Sequence, residues 1–124
     1  MEKGLAYTSK VTVDNHNTAV AMGSGEMDVF ATPALVALME NAAMEAVKSG
    51  IPEEYTTVGS MIQTTHIKPS ALGETVTATA TLTEVEDRKL TFDVVASDTK
   101  GIVGRGTHVR YIVDREHFMG KLKA

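Results

Sequence analysis

The chain has 124 residues, of which 43% are hydrophobic and 23% charged, with a formal net charge of −4 and no cysteine. These values predict one globular domain over residues 1–124 with a hydrophobic core. The charge argues against a general nucleic-acid binder, which needs a concentrated basic face, and the lack of cysteine excludes thiolate zinc sites and thiol nucleophiles.

The first half of the chain is expected to form two strands and one long helix. A strand is predicted over residues 5–13, a turn over 14–17, and a second short strand near 18–22. A loop at 23–26 precedes the helix, where Thr32 offers a capping hydroxyl and Pro33 fits the first helical position. Gly50 and Pro52 are expected to end this helix after Lys48.

The second half of the chain alternates in the manner of strands. Threonine alternates strictly with small or apolar residues from Thr75 to Thr83, a two-residue period that marks a sheet with one covered face. The other predicted strands cover residues 57–67, 90–97 and 102–113, and the alternation within 57–67 is imperfect. Short turns join the strands at 75–83, 90–97 and 102–113 as consecutive antiparallel hairpins. The sequence therefore predicts the α+β class, with about five antiparallel strands curled around one helix.

The N-terminus and the apolar runs predict where the chain resides. Residues 1–4 lead into no apolar signal core, so a reducing cytoplasm is the expected location. No apolar run approaches about 20 residues, so no membrane partner is expected. The four histidines match no metal-site spacing, and no metal is expected.

Glu40 is the most unusual residue of the predicted helix. Its three- and four-residue neighbours are apolar: Val36, Ala37, Ala43 and Met44. None of these neighbours is a cation, so Glu40 is expected to face apolar surroundings, where a charge costs free energy unless it is paired or used.

Six short segments, in this order and spacing, resemble the hotdog-fold acyl-CoA thioesterases related to the fluoroacetyl-CoA thioesterase. They are VFAT at 29–32, ME at 39–40, VG at 58–59, TH at 65–66, GETVT at 73–77 and GTHVR at 106–110. The resemblance implies a hotdog fold and a catalytic set of Thr32, Glu40 and His66. It also implies that Gly59 lies against the acyl thioester and that Arg110 holds the coenzyme A portion. Coenzyme A enters only as part of the substrate, and no separate cofactor is expected.

Thioester hydrolysis needs an activated oxygen nucleophile and donors for the carbonyl oxygen as it gains charge. Glu40 is able to act as a base for water or to attack directly, and His66 to donate to the oxyanion or the leaving thiolate. Thr32 either positions the substrate or attacks, or it only caps the helix. His108 has the simpler interpretation of a structural or interface residue, and Arg110 alone would be a common strand-surface charge.

The spacing of Thr32 and Glu40 bears on how the site is assembled. Eight helical residues span about 12 Å, so Thr32 and Glu40 of one chain do not touch if the helix is regular between them. Either a bound thioester stretches between them, or one of the two works with residues of a second chain, and we favour the shared site. The sheet edges also need covering, and a homodimer or higher homo-oligomer is therefore expected.

The substrate is expected to be an ordinary short- or medium-chain acyl-CoA. Residues 24–27 (SGEM) carry no aromatic side chain to close over a very small acyl group, and Asn41 stands where the fluoroacetyl-specific relative has an aromatic residue. One alternative is a domain that binds acyl-CoA without cleaving it. A hydratase or dehydratase ranks third, because it needs an acidic partner near His66 and the sequence places no aspartate there.

Overall fold

A computed structural model describes residues 1–123 as one five-stranded antiparallel sheet with three helices. The strands are β1 (Ala6–Thr12), β2 (Tyr55–His66), β3 (Thr75–Glu86), β4 (Lys89–Asp98) and β5 (Gly101–Asp114). The helices are α1 (Ala19–Met22), α2 (Thr32–Lys48) and α3 (Arg115–Leu122). In the sheet the strands follow the order β1-β3-β4-β5-β2, which places β1 and β2 at the two edges.

Helix α2 packs along one stripe against the sheet. Its buried residues are apolar and mostly small: Leu35, Leu38, Met39, Ala42, Ala43, Ala46 and Val47. The helix contacts β1, β2, β3 and β4, because alanine side chains let a curled sheet approach from several sides. This arrangement confirms the predicted α+β class.

Strand β3 shows how the alternating sequence becomes a one-sided sheet. Its buried residues are Val76, Ala78, Ala80 and Leu82, and the threonines between them are only partly covered. Ala80 lies opposite Val94 of β4, so the same face stays apolar across the strand pair. The core therefore lies between this face of the sheet and α2.

The predicted second strand near residues 18–22 is wrong. Ala19–Met22 forms the short helix α1, and Thr18 caps it by accepting a hydrogen bond from the Ala21 amide at 3.2 Å. Gly23, with φ at +70°, ends the helix in the left-handed region that glycine favours. Helix α3 was not predicted, and it begins where Asp114 accepts from the His117 amide at 2.9 Å.

Strand β2 contains an irregularity that accounts for its imperfect alternation. Its register against β5 shifts between Gly59 and Met61, so Ser60 is the extra residue of a β-bulge. Gly59 lies at this bulge and His66 is the last residue of the strand. The two positions that the resemblance singled out in this region therefore lie along one edge strand. Among the described helices, none has the length and apolar character needed to cross a membrane.

Candidate active site

Thr32 and His66 meet at the N-terminal end of α2. Thr32 is the first helical residue and His66 ends β2, and the Thr32 Oγ1 atom lies 2.7 Å from His66 Nδ1. The prediction that Thr32 caps the helix is wrong. Ala31 occupies the capping position without a side-chain hydrogen bond, which leaves the Thr32 hydroxyl committed to the imidazole.

The His66 ring is held in a partly desolvated position. Burial lowers the pKa of His66, so the neutral imidazole is favoured near pH 7. Its Nε2 atom is buried without a hydrogen-bond partner among the described residues. A cavity of about 270 Å³ is lined by this pair and by residues near α1, before α2 and after β2: Ala19, Ser24, Val29, Phe30, Ile67, Lys68 and Pro69.

Glu40 is paired with a cation, contrary to the expectation of wholly apolar surroundings. Its Oε2 atom lies 3.8 Å from Arg110 Nη1, and its side chain is 41% exposed. The cation comes from β5, 70 residues further along the chain, so no local helical pattern indicates it. Glu40 is thus a half-exposed carboxylate beside a buried guanidinium.

Arg110 is buried, unlike a strand-surface charge, and is fixed by several hydrogen bonds. It donates from Nε to the Thr57 hydroxyl at 2.8 Å and from Nη2 to the Thr57 carbonyl at 3.0 Å. Burial lowers the pKa of Arg110, while the nearby Glu40 carboxylate opposes that shift, so the side chain stays charged. Most of its planar donor fork is used within the protein.

Gly59 allows these groups to come together. A Cβ atom at this position would lie 2.6 Å from Glu40 Oε2, 3.3 Å from His108 Cε1 and 3.4 Å from Arg110 Nη1. The missing side chain therefore lets the carboxylate lie directly against the backbone of β2. A cavity of about 180 Å³ opens here, lined by Glu40, Gly59, Ser60, Met61, Ile62 and His108.

His108 and Thr57 complete this second cluster, and sequence reasoning did not assign them to it. His108 is 1% exposed, with its Nδ1 atom 2.8 Å from the Met61 carbonyl oxygen and its Nε2 atom 3.2 Å from Arg110 Nη1. The available signal was the two-residue period of β5, which places His108 and Arg110 on one face.

The predicted site residues therefore form two clusters at different points along α2. One cluster contains Thr32 and His66, and the other contains Glu40, Gly59 and Arg110. Eight helical residues separate Thr32 from Glu40, which corresponds to about 12 Å. One protomer does not bring all three predicted catalytic residues into contact.

A larger cavity lies elsewhere. It has a volume of about 700 Å³, lies between β1 and α2, and is lined by neither Thr32, His66, Glu40 nor Arg110. We place the candidate site at the two smaller cavities, because the ionisable side chains converge there. The described residues contain no cluster of three or more metal-ligating side chains.

Comparison with known proteins gives consistent results. The family model described as fluoroacetyl-CoA-specific thioesterase matches residues 13–116. The fluoroacetyl-CoA thioesterase of Streptantibioticus cattleyicolor is 38% identical over 96 residues, covering 77% of this chain and 69% of that protein. A solved structure of the fluoroacetyl-CoA thioesterase FlK has a TM-score of 0.94 at 32% identity, covering 99% of this chain and 96% of that chain.

A more distant structure shares the fold. A hot-dog-like protein from Thermanaerovibrio acidaminovorans is 24% identical, with a TM-score of 0.89 over 98% of this chain and 90% of its own. Together the comparisons confirm the predicted hotdog fold and the assignment to the acyl-CoA thioesterases. The chain belongs to the family of fluoroacetyl-CoA-specific thioesterases.

Proposed function

We propose that this protein hydrolyses a short- or medium-chain acyl-CoA thioester to the free acid and CoA. The observation that carries the proposal is the pair of clusters on one helix. A hydroxyl bonded to an imidazole lies at the start of α2, and a carboxylate beside a guanidinium lies two turns later. These are the groups that thioester hydrolysis requires.

Glu40 is the proposed base or nucleophile. As a base, it removes a proton from water while the water oxygen bonds to the carbonyl carbon of the thioester. The C–S bond then breaks, and the leaving thiolate takes up a proton. As a nucleophile, the carboxylate forms an anhydride and releases the thiolate, and water then hydrolyses the anhydride. Its 41% exposure supports both routes, since substrate and water reach the carboxylate.

Thr32 and His66 are proposed to act on the carbonyl oxygen and the leaving group. If His66 Nδ1 accepts from the Thr32 hydroxyl, Nε2 carries the ring proton and serves as the donor to the oxyanion or thiolate. If Nδ1 donates, the hydroxyl proton of Thr32 is free for the substrate oxygen. In either case the positive end of the α2 dipole favours negative charge at this point. Thr32 positions the substrate or attacks it.

A second copy of the chain is proposed to complete the site. The roughly 12 Å between Thr32 and Glu40 is too far for both to contact one carbonyl group. Strand β2 carries Gly59 and His66 and lies at an edge of the sheet. Pairing with another protomer would satisfy the unpaired backbone N–H and C=O groups on its outer side. In such a homodimer, Glu40 of one protomer faces Thr32 and His66 of the other.

The proposed acyl preference follows from the loop before α2. Residues 24–27 are exposed and include Glu26, with no aromatic side chain to seal a very small acyl group. The relative FlK has been solved as a mutant complex with acetyl-CoA and as another with fluoroacetate and CoA. We expect this chain to accept ordinary acyl groups without a fluorine preference.

Thiol release from a panel of CoA esters tests this proposal. The panel contains acetyl-, fluoroacetyl-, butyryl-, hexanoyl- and octanoyl-CoA, with Glu40→Gln as the inactive control. The expected result is release from one or more unsubstituted esters with a kcat/KM at least equal to that for fluoroacetyl-CoA. Tight binding without thiol release would contradict hydrolysis, and a strong preference for fluoroacetyl-CoA over acetyl-CoA would contradict the proposed substrate class.

A further inference from the structure

His108 is a buried histidine whose two ring nitrogens have different partners. Its Nδ1 atom lies 2.8 Å from the Met61 carbonyl oxygen, an acceptor, so Nδ1 must carry the ring proton. Its Nε2 atom is then a bare acceptor, 3.2 Å from Arg110 Nη1. The guanidinium therefore donates to a neutral imidazole.

We propose that His108 is a positioning residue that fixes the Arg110 guanidinium against Glu40. Thr57 binds two sides of the guanidinium, through Nε and Nη2. His108 binds the remaining side, at Nη1, which is the nitrogen that lies 3.8 Å from Glu40 Oε2. The imidazole thereby sets the position of the nitrogen that faces the carboxylate. This inference rests on the proposed catalytic role of Glu40.

The position of the ring couples the cluster to the bulge in β2. Met61 lies directly after the bulge, and Gly59 before it leaves room for His108 Cε1. The ring also packs against Phe92 of β4 in a tilted arrangement, with centroids 6.2 Å apart. From β5, His108 thus contacts both neighbouring strands, β2 and β4, beside the carboxylate.

The two charged groups that face His108 act in opposite directions on its protonation. Arg110 from β5 faces Nε2, and Glu40 from α2 is the one nearby anion, while the Met61 carbonyl and the Phe92 ring are neutral. A proton on Nε2 would replace the acceptor with a second cation directed at Arg110. Burial is the largest influence and lowers the pKa of His108, and Arg110 lowers it further, whereas the hydrogen bond to the Met61 carbonyl and the Glu40 carboxylate oppose the shift.

Two substitutions separate positioning from structural support. His108→Asn keeps a donor near Met61 but loses the acceptor for Arg110, whereas His108→Gln restores an acceptor near the Nε2 position. We expect His108→Asn to lower kcat about tenfold with little change in KM, and His108→Gln to recover most of that loss. His16→Asn is the matched control, because the His16 side chain is 93% exposed and lies beside Asp14.

Combination with Arg110→Gln makes the test specific. If His108 acts through Arg110, adding His108→Asn to Arg110→Gln causes no further loss of kcat. The inference would be overturned if the losses of kcat from the two substitutions multiply in the double variant. It would also be overturned if His108→Asn folds and keeps the wild-type kcat. If the variants do not fold, ¹⁵N NMR of the wild-type protein shows which nitrogen of the His108 ring carries the proton. A protonated Nε2 at pH 7 also overturns the inference. Absence of thiol release by the wild-type protein would instead contradict the proposed function.

Discussion

Thr32 and Glu40 project from the same helix but contact side chains of two different strands. Thr32 bonds to His66 at the end of β2, and Glu40 lies beside Arg110 of β5. The eight-residue spacing along α2 corresponds to an axial separation of about 12 Å between the two residues. How one thioester reaches both clusters is therefore the central question about this site.

Glu40→Gln is expected to lower kcat by about two orders of magnitude or more, because the amide cannot accept a proton from water or attack the thioester. The fold should persist, since the Glu40 side chain is half exposed and glutamine has nearly the same shape. Thiol release and thermal unfolding measure the two effects. An unchanged kcat would remove Glu40 from the mechanism.

Thr32→Ala is expected to lose most of its turnover, while its free energy of unfolding stays within about 1 kcal/mol of the wild-type value. The substitution removes a hydrogen bond to His66 but no helix cap, because Ala31 occupies that position. Thr32→Ser is the control, since its hydroxyl can still reach the imidazole and should retain activity. A well-folded Thr32→Ala with normal turnover would mean that the hydroxyl takes no part in the reaction.

Gly59→Ala is expected to reduce activity without unfolding the protein. The new Cβ would lie 2.6 Å from Glu40 Oε2, which is the end of a flexible side chain and moves away more readily than the backbone. Displacing the carboxylate should lower kcat about tenfold. Gly120→Ala is a suitable control, because nothing lies within 4 Å of its added Cβ. Equal activities of the two variants would show that the contact with Glu40 is unimportant.

The regular elements were predictable because their periods are local. The alternation in β3 and the proline and glycine signals around α2 lie within a few residues of one another, and the structure follows them, except that Pro33 is the second helical residue and not the first. The short helix α1 was mistaken for a strand, because four apolar residues do not reveal a period. Its capping by Thr18 is the local signal that outweighed the strand pattern.

The candidate site was predictable only in part. The resemblance indicated Thr32, Glu40, His66, Gly59 and Arg110, and the structure places them in two clusters. The pairing of Glu40 with Arg110 depends on contacts between α2 and β5, and no spacing in the sequence encodes it. The bond between Thr32 and His66 likewise joins residues 34 positions apart. Long-range contacts of this kind require the fold to be known.

The stability of the protein should fall as the pH drops below about 6.5. Burial lowers the pKa of both His66 and His108, so the unfolded chain binds more protons than the folded one in this window. The free energy of unfolding therefore rises with pH. The stabilising contribution of the two histidines is fully present above the pKa of an unfolded histidine, and it is lost as the pH falls toward the pKa values of the folded state. Urea unfolding at pH 7.5, 6.5 and 5.5 measures the slope. His108→Gln should flatten it and His16→Asn should not, whereas equal slopes in all three proteins would contradict the assignment.

The shared site can be tested by mixing two inactive variants. Thr32→Ala and Glu40→Gln chains are co-refolded in equal amounts, so half of a random population of dimers is mixed. In each mixed dimer one site combines the intact Glu40 of one protomer with the intact Thr32 and His66 of the other, while the second site carries both substitutions. About a quarter of the wild-type activity should return. Thiol release measures the recovery, and mass spectrometry verifies the mixed dimers. If the mixed dimers form and no activity returns at any ratio, each site is built within a single chain and α2 must bring its two clusters to one substrate in another way.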